Sequence, residues 1–177
     1  MWQETLRESL PWSGARLRFR ELTPEDAAFV RGMLSSPDVM RFLGGPLSNS
    51  EDFVRDSIVK RRGLTESLYI IETNTECSPV GYAAIVENPS IGLNEFDFLI
   101  AFLPEHQGNR YGPEALRILR DRWMRATGCS HCTASVRPEN ERSVKILVEC
   151  AFQRVGEYAD GGGFTRHIYR YEDKPAA

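Results

Sequence analysis

The stretch "NEFDF" holds two carboxylates, Glu95 and Asp97, two residues apart. In an extended strand the side-chain period is two, so both would lie on one face. Beside a binding cleft such a pair can accept a proton; on an edge face it is only solvated surface. A second stretch, "PEHQGNRYGPEAL" at 104–116, sets Gly108 and Gly112 four apart, directly before a helical run. A helix start offers unpaired N–H groups and the positive end of a dipole, which together suit an anion such as a phosphate. Glycine lets an anion approach the backbone closely. Pro113 donates nothing, so the donors would come from 108–112 and 114. A ligand-free helix cap accounts for Gly112, but less well for the pair together with Gln107, Asn109 and Arg110. A third candidate is "CSHC" at 129–132. Its two thiols fall short of a closed zinc site, which takes about four ligands, so it is read as small buried side chains and no metal is expected.

Several elements must position these residues. "ARLRFREL" alternates, giving a strand with Leu17, Phe19 and Leu22 toward a core. "TPEDAAFVRGML" starts a helix with Thr23 as N-cap, Pro24 at the first position and Asp26 three after the cap. "SNSEDFVRDSIVKRR" starts another, capped by Ser48 or Ser50. "SLYIIET" and "PVGYAAIVE" flank the turn "NTECS" as a hairpin, and "NEFDFLIAFLP" is a central apolar strand ended by Pro104. A helix over 113–126 carries Leu116, Leu119 and Trp123 on one stripe. "CTASV" is a strand. The helix "PENERSVKILVECA" follows, capped by Asn140, with Val144, Leu147, Val148 and Ala151 as its inner face. "QRVGEYA" and "TRHIYRYE" close the chain as a hairpin around "DGGG". The expected fold class is α/β of the α+β type. It has a mixed, mostly antiparallel sheet of about seven strands and about four helices, without the G-x-G-x-x-G of a Rossmann fold.

The 177 residues fit one domain over 1–177, with 1–14 an N-terminal extension and 172–177 a C-terminal tail. A net charge of −3 argues against a nucleic-acid partner. No run is long and apolar enough for a membrane span, and the start has no signal-type core, so the expected location is cytoplasmic. Four scattered cysteines do not make a disulfide scaffold. The expected state is a monomer or a homodimer.

The loop "LPEHQGNRYGPEAL" resembles the pyrophosphate loop of the GNAT superfamily of acyl-CoA-dependent N-acetyltransferases, Q/R-x-x-G-x-G/A before a helix. Gln107 and Gly112 match its ends, and Arg110 stands where the middle glycine belongs. "VRPENERSVKILVECAFQRVGEY" is similar to the family's later block of Pro, Glu, Asn and then Ser, with Ala151-Phe152 in place of Gly-Phe. "ARLRFRELTPEDAAFV" is similar to the opening of the branch that includes ribosomal-protein N-terminal acetyltransferases. Together these blocks span about Arg16 to Tyr171.

The resemblance implies two splayed central strands with acetyl-CoA as co-substrate lying between them, and an amine acceptor as the other partner. The pantetheine arm would pair with the backbone of Ile100, Ala101 and Phe102 like an added strand. The pyrophosphate would meet the N–H groups of Gln107, Gly108, Asn109, Arg110, Tyr111 and Gly112. Arg110 either contacts phosphate itself or obstructs the approach. Asn140 would reach the pantetheine amides and Ser143 the sulfur. Asp97 falls where related enzymes often carry a glutamate base, with Glu95 as the second candidate. The slot that often holds a tyrosine acid is Leu147, which leaves Ser143 as the acid. Residues 39–46 would roof the acceptor site and 160–167 wall it, with Phe42, Trp12 and Phe164 as lining and the triple glycine as a mobile tip. The implied activity is transfer of acetyl to a primary amine of a small molecule or a protein N-terminus. The alternative is a non-catalytic acyl-CoA-binding or interaction module.

Overall fold

The computed structural model describes residues 2–46 and 66–173. The helix expected from "SNSEDFVRDSIVKRR" lies outside the described residues, as does 174–177 of the expected tail. Among the described residues there are eight strands and five helices. In chain order these are α1 (Trp2–Glu8), β1 (Trp12–Ser13), β2 (Leu17–Glu21), α2 (Ala27–Ser35), α3 (Pro37–Met40), β3 (Glu66–Thr73), β4 (Pro79–Glu87), β5 (Phe96–Phe102), α4 (Tyr111–Thr127), β6 (His131–Val136), α5 (Glu141–Glu149), β7 (Gln153–Ala159) and β8 (Thr165–Glu172). They form one sheet in the order β1-β2-β3-β4-β5-β6-β8-β7. Every neighbouring pair is antiparallel except β5 with β6. The fold is mixed α/β with a mostly antiparallel open sheet, as expected. None of the helices among the described residues is long and apolar enough to cross a membrane.

The alternating strands present one apolar face to each helical layer. On one face α4 buries Leu116, Leu119 and Trp123, the stripe read from its period, with Leu147 of α5 and Leu17 and Phe19 of β2. On the other, Val30, Met33 and Leu34 of α2 and Val39 and Met40 of α3 cover Ile70, Tyr82 and Ala101. Leu22 packs there too, opposite Leu17 and Phe19. The expected capping box holds. Asp26 accepts the Thr23 N–H at 2.9 Å and Thr23 accepts in return. Asp26 also pairs with Arg20, whose Nη1 is 2.7 Å away.

Three expectations change. The eighth strand is β1, in the segment expected to be an extension. Residues 2–13 pack into the sheet, with Leu6 and Trp12 fully buried. Trp2 meets Phe96 and Trp123 edge-on at 5.1 and 4.9 Å, and Trp12 packs on Tyr69 at 4.5 Å. Trp12 is thus core and does not line an acceptor site. The segment has no apolar period to announce it; three isolated large side chains hold it. Second, Glu172 completes β8 and the Asp173 N–H bonds the Ser130 carbonyl at 2.8 Å, so the sheet extends into the expected tail.

Third, α5 is shorter than its pattern. Val148 is 60% exposed and Ala151 is exposed, so neither belongs to the inner face. Val148 lies within the helix on its outer side, whereas Ala151 falls past its end, in a Schellman turn: Phe152 N–H bonds the Leu147 carbonyl and Ala151 N–H the Val148 carbonyl, both at 3.0 Å. Ala151 sits at the left-handed position of that turn, with φ +66°. A Cβ is strained there by about 1 kcal/mol or more. Ala151→Gly is therefore expected to stabilise the protein by about 1 kcal/mol in urea unfolding; an unchanged or lower midpoint would show that the turn is not held this way.

Candidate active site

Strands β5 and β6 run parallel but share one bridging pair, Asp97 with Thr133. Beyond it they diverge, and the gap opens into a cleft of about 920 Å³. Its floor and walls include Leu99 to Phe102 of β5, Ala134 to Val136 of β6, Gly112 and Leu116 of α4 and Asn140 to Ser143 at the start of α5. Phe42, Leu43 and Arg41 close it on the side of α3.

The pairing of β5 with β4 decides which backbone groups face the gap. Leu103 N–H bonds the Val80 carbonyl at 3.0 Å, and Asn88 N–H the Glu95 carbonyl at 2.8 Å. In this register the odd-numbered residues of β5 direct N–H and C=O to β4, and Phe96, Phe98, Ile100 and Phe102 direct theirs to β6. Two side-chain donors confirm the parity: the Thr133 hydroxyl bonds the Phe96 carbonyl, and Gln107 Nε2 the Phe102 carbonyl at 3.2 Å. Ile100 and Phe102 thus present backbone to the cleft. Ala101 does not, because its N–H and C=O belong to the ladder with Tyr82.

The glycine loop is held from behind. Arg16 Nη1 donates to the Asn109 carbonyl at 2.8 Å and Nη2 to the Arg110 carbonyl at 3.0 Å. Glu114 in turn holds Arg16 through its backbone N–H at 2.7 Å and its Nε at 3.0 Å. In a trans peptide the N–H opposes the C=O, so drawing these carbonyls toward Arg16 turns the N–H groups of Arg110 and Tyr111 the other way. The sequence reading missed Arg16, which only its distance in space from the loop could have revealed.

The two glycines have different reasons. Gly108 has φ +88°, which a glycine tolerates. Gly112 is helical, and a Cβ there would come within 2.6 Å of Ile146 Cδ1, so it is small to let α4 meet α5. The left-handed position expected of a glycine is taken by Arg110, with φ +59° and ψ +26°. Its guanidinium is 73% exposed and pairs with Glu149 at 2.6 Å. Arg110 thus keeps the glycine-like backbone bend while its side chain pairs with Glu149 outside the cleft lining. Gly108, Asn109, Arg110 and Tyr111 do not line the cleft, whereas Gln107 and Gly112 do. Gln107 also accepts from Arg142 Nη1 at 2.6 Å, a bond that joins the loop after β5 to α5.

Asn140 caps α5, accepting the Ser143 N–H at 3.3 Å, and both residues line the cleft. Leu147, in the tyrosine slot, is buried core.

Asp97 and Glu95 part company. Asp97 lines the cleft, where Oδ1 accepts the Ser135 N–H at 2.7 Å and Oδ2 accepts from the Ser135 hydroxyl and from Asn88 Nδ2, the latter at 3.2 Å. Burial pushes its carboxyl above the ordinary value, against the lowering by Ser135, Arg166 and Asn88. Tyr158, which the sequence reading did not single out, extends the cluster: its hydroxyl lies 3.1 Å from Ser135 Oγ and 3.0 Å from Asn88 Nδ2. Glu95 precedes β5, outside the cleft lining. Its Oε1 is 3.2 Å from both Arg170 Nη2 and His131 Nε2, so it serves an ion pair rather than the cleft. Phe164 also stands back from the lining and stacks under Arg137, whose Cζ is 3.8 Å from the ring centre. The "DGGG" tip is organised by Asp160, which accepts the N–H groups of Gly162 and Phe164 at 3.0 Å each. Cys132 of "CSHC" is buried in β6 and burial pushes its thiol up to about 12, while Cys129 is exposed.

The cleft thus combines a sheet splayed at one parallel junction, a helix-start loop beside its mouth and a buried carboxylate at its apex. The sequence profile of the acetyltransferase (GNAT) domain matches residues 16–153, and the chain belongs to that family of N-acetyltransferases. It is 23% identical over 168 residues to the uncharacterized N-acetyltransferase YoaA of Bacillus subtilis, covering 87% of this chain and 92% of that one. Among solved structures it is similar to a GNAT-family acetyltransferase from Bacillus anthracis, with a TM-score of 0.77 at 18% identity over 93% of this chain and 99% of the other. It is also similar to the spermidine N-acetyltransferase of Vibrio cholerae in complex with CoA and spermine, with a TM-score of 0.75 at 18% identity over 90% and 97%.

The Gly112 contact is directly testable. Gly112→Val is expected to cost about 1–3 kcal/mol of stability and to weaken acetyl-CoA binding, because it pushes α5 off α4. Adding Ile146→Val removes the Cδ1 that a new Cβ would strike and should recover most of the loss. A double variant no better than Gly112→Val in unfolding and calorimetry would mean that the glycine serves something other than this contact.

Proposed function

We propose that the cleft binds acetyl-CoA along β5 and that the enzyme transfers its acetyl group to a primary amine by direct attack. The observation that carries this reading is the single bridge between β5 and β6, which leaves the Ile100 and Phe102 backbone facing a cleft with Asp97 at its narrow end. The pantetheine arm is the chemistry that such a free edge suits, since its amides can pair with peptide groups. The N–H groups of Arg110, Tyr111 and Gly112 are suited to the pyrophosphate. Asn140 and Ser143 would border the pantetheine end. When bound, acetyl-CoA supplies the thioester carbonyl and a thiolate leaving group.

Asp97 is the proposed base. An amine must lose a proton to become an amide, and a carboxylate with a raised pKa is a better acceptor than an ordinary one. Ser135 and Asn88 hold both carboxylate oxygens in place. Ser143 is the proposed donor to the departing sulfur, where a weak hydroxyl acid suffices because a thiolate leaves readily. The acceptor is a primary amine of a small molecule or of a protein N-terminus; the resemblance to a spermidine acetyltransferase adds polyamines to the amines to be tried. The proposed location is the cytoplasm, and the proposed state a monomer or homodimer.

Thiol release from acetyl-CoA against a panel of amines tests this. Asp97→Asn is expected to lower the acetyl-transfer rate constant by about a hundredfold or more, with acetyl-CoA affinity little changed. In the parent enzyme the rate should fall as pH drops through the Asp97 pKa. That limb should lie above the ordinary aspartate value of about 3.9, because burial raises it. An Asp97→Asn enzyme as fast as the parent across pH would remove Asp97 as base.

A further inference from the structure

The face of the sheet that carries Asp97 also carries two nearly buried arginines. The strand period and register put Asp97 of β5, Ser135 of β6 with Arg137 just past its end, and Arg166 of β8 on one face. The side chains of Arg137 and Arg166 are 12% and 15% exposed, and both line the cleft. They share one carboxylate oxygen: Asp160 Oδ2 is 3.3 Å from Arg137 Nη2 and 3.8 Å from Arg166 Nη1. The other Asp160 oxygen is taken by the N–H groups of Gly162 and Phe164. Among the described residues the remaining partners of Arg166 are neutral, namely Ser135 Oγ and the Ser135 carbonyl at 3.0 Å and the Phe42 carbonyl at 3.4 Å. Arg137 Nε is buried without a hydrogen-bond partner among the described residues. Asp97, the other carboxyl in the cluster, has its oxygens taken by Ser135 and Asn88. Asp38, Glu139 and Glu141 also line the cleft but are exposed, and Glu87 is half-buried at the end of β4. Charges in water are screened, whereas a buried cation short of a counter-ion is costly until an anion joins it.

We propose that the acceptor is a small amine bearing a carboxylate, and that Arg137 and Arg166 bind this carboxylate while the amine lies at Asp97 and Ser135. This rests on the acetyl-transfer reading of the same cleft. Guanidinium is the side chain best shaped for a carboxylate, through paired N–H donors. Ser135 Oγ touches both Arg166 Nε and the Asp97 carboxylate, so the two subsites are one side chain apart. That spacing suits an amino acid whose amine and carboxylate are separated by one or two carbons. Two nearby cations also favour the neutral amine over the ammonium, which is the form that attacks.

The test is acetyl transfer to alanine, methionine, phenylalanine and glutamate, each beside its α-carboxamide, with 1,4-diaminobutane as the cationic control. The carboxamides have the less basic amines and so more free base, which means that a preference for the acids cannot come from amine ionisation. The acids should lead in kcat/KM by tenfold or more, mainly through KM. Arg137→Gln should collapse that ratio and Arg137→Lys should keep part of it. Carboxamides or the diamine matching or exceeding every acid with the parent enzyme would overturn the proposal. Calorimetry on the protein with desulfo-CoA separates the two readings if no amine is acetylated. Binding of an acid but not its carboxamide, lost in Arg137→Gln, would leave the carboxylate site standing and the transfer reading refuted. Equal or absent binding of both would refute the carboxylate site.

Discussion

Among the described residues strands β5 and β6 are the only parallel neighbours in the sheet, and one bridging pair, Asp97 with Thr133, joins them. The site depends on that short junction. A longer ladder would pair the Ile100 backbone and the Phe102 N–H within the protein and leave no edge for a ligand. The strands can part because each is secured from its outer side. β4 pairs with β5 along its whole length, and β8 pairs with all six residues of β6. Helices α4 and α5 then fill one side of the gap, where Gly112 lets Ile146 approach. The cost of an open sheet is thus confined to a few backbone groups, and a buried polar group without a partner is costly enough that they favour a ligand able to pair with them.

The electrostatics follow from the same opening. Asp97 stands where the strands begin to part, half in the ladder and half in the cleft. Its two oxygens are fixed by Ser135 and Asn88, and burial holds the proton more tightly than in water. Arg166 binds Ser135 and reaches Phe42, so the polar cluster on β6 and β8 is tied to the loop beyond α3. At the far end Arg16 grips two carbonyls of the glycine loop and is itself held by Glu114. Buried charge at one end and oriented backbone dipoles at the other give the cleft its polarity.

Much of this was legible in the chain. Apolar runs, turn residues and the helical period located β2 to β8 and the buried stripe of α4, even though β7 buries no face and β4 and β6 are buried on both. Asn140, Gln107, Gly112, Ser143 and Asp97 were singled out and come together around one cleft. What could not be read depends on contacts between distant segments. Residues 2–13 join the core through Trp2, Leu6 and Trp12 rather than through a pattern. Glu95 shares the face of Asp97, yet Arg170 and His131 claim it from strands that the local sequence does not mention. Arg110 and Ala151 both stand where glycine was expected, and both keep the left-handed backbone that glycine would have taken. Sequence marks the position, but whether a side chain there bends or blocks the loop is a question of backbone angle.

The most direct test of the open edge is amide hydrogen exchange along β5, with and without desulfo-CoA. If the cleft takes the pantetheine arm as an added strand, protection should rise at Ile100 or Phe102, whose N–H groups face β6. Ala101, already paired with β4, should change little. Exchange at Ile100 and Phe102 that is indifferent to saturating desulfo-CoA would contradict the account.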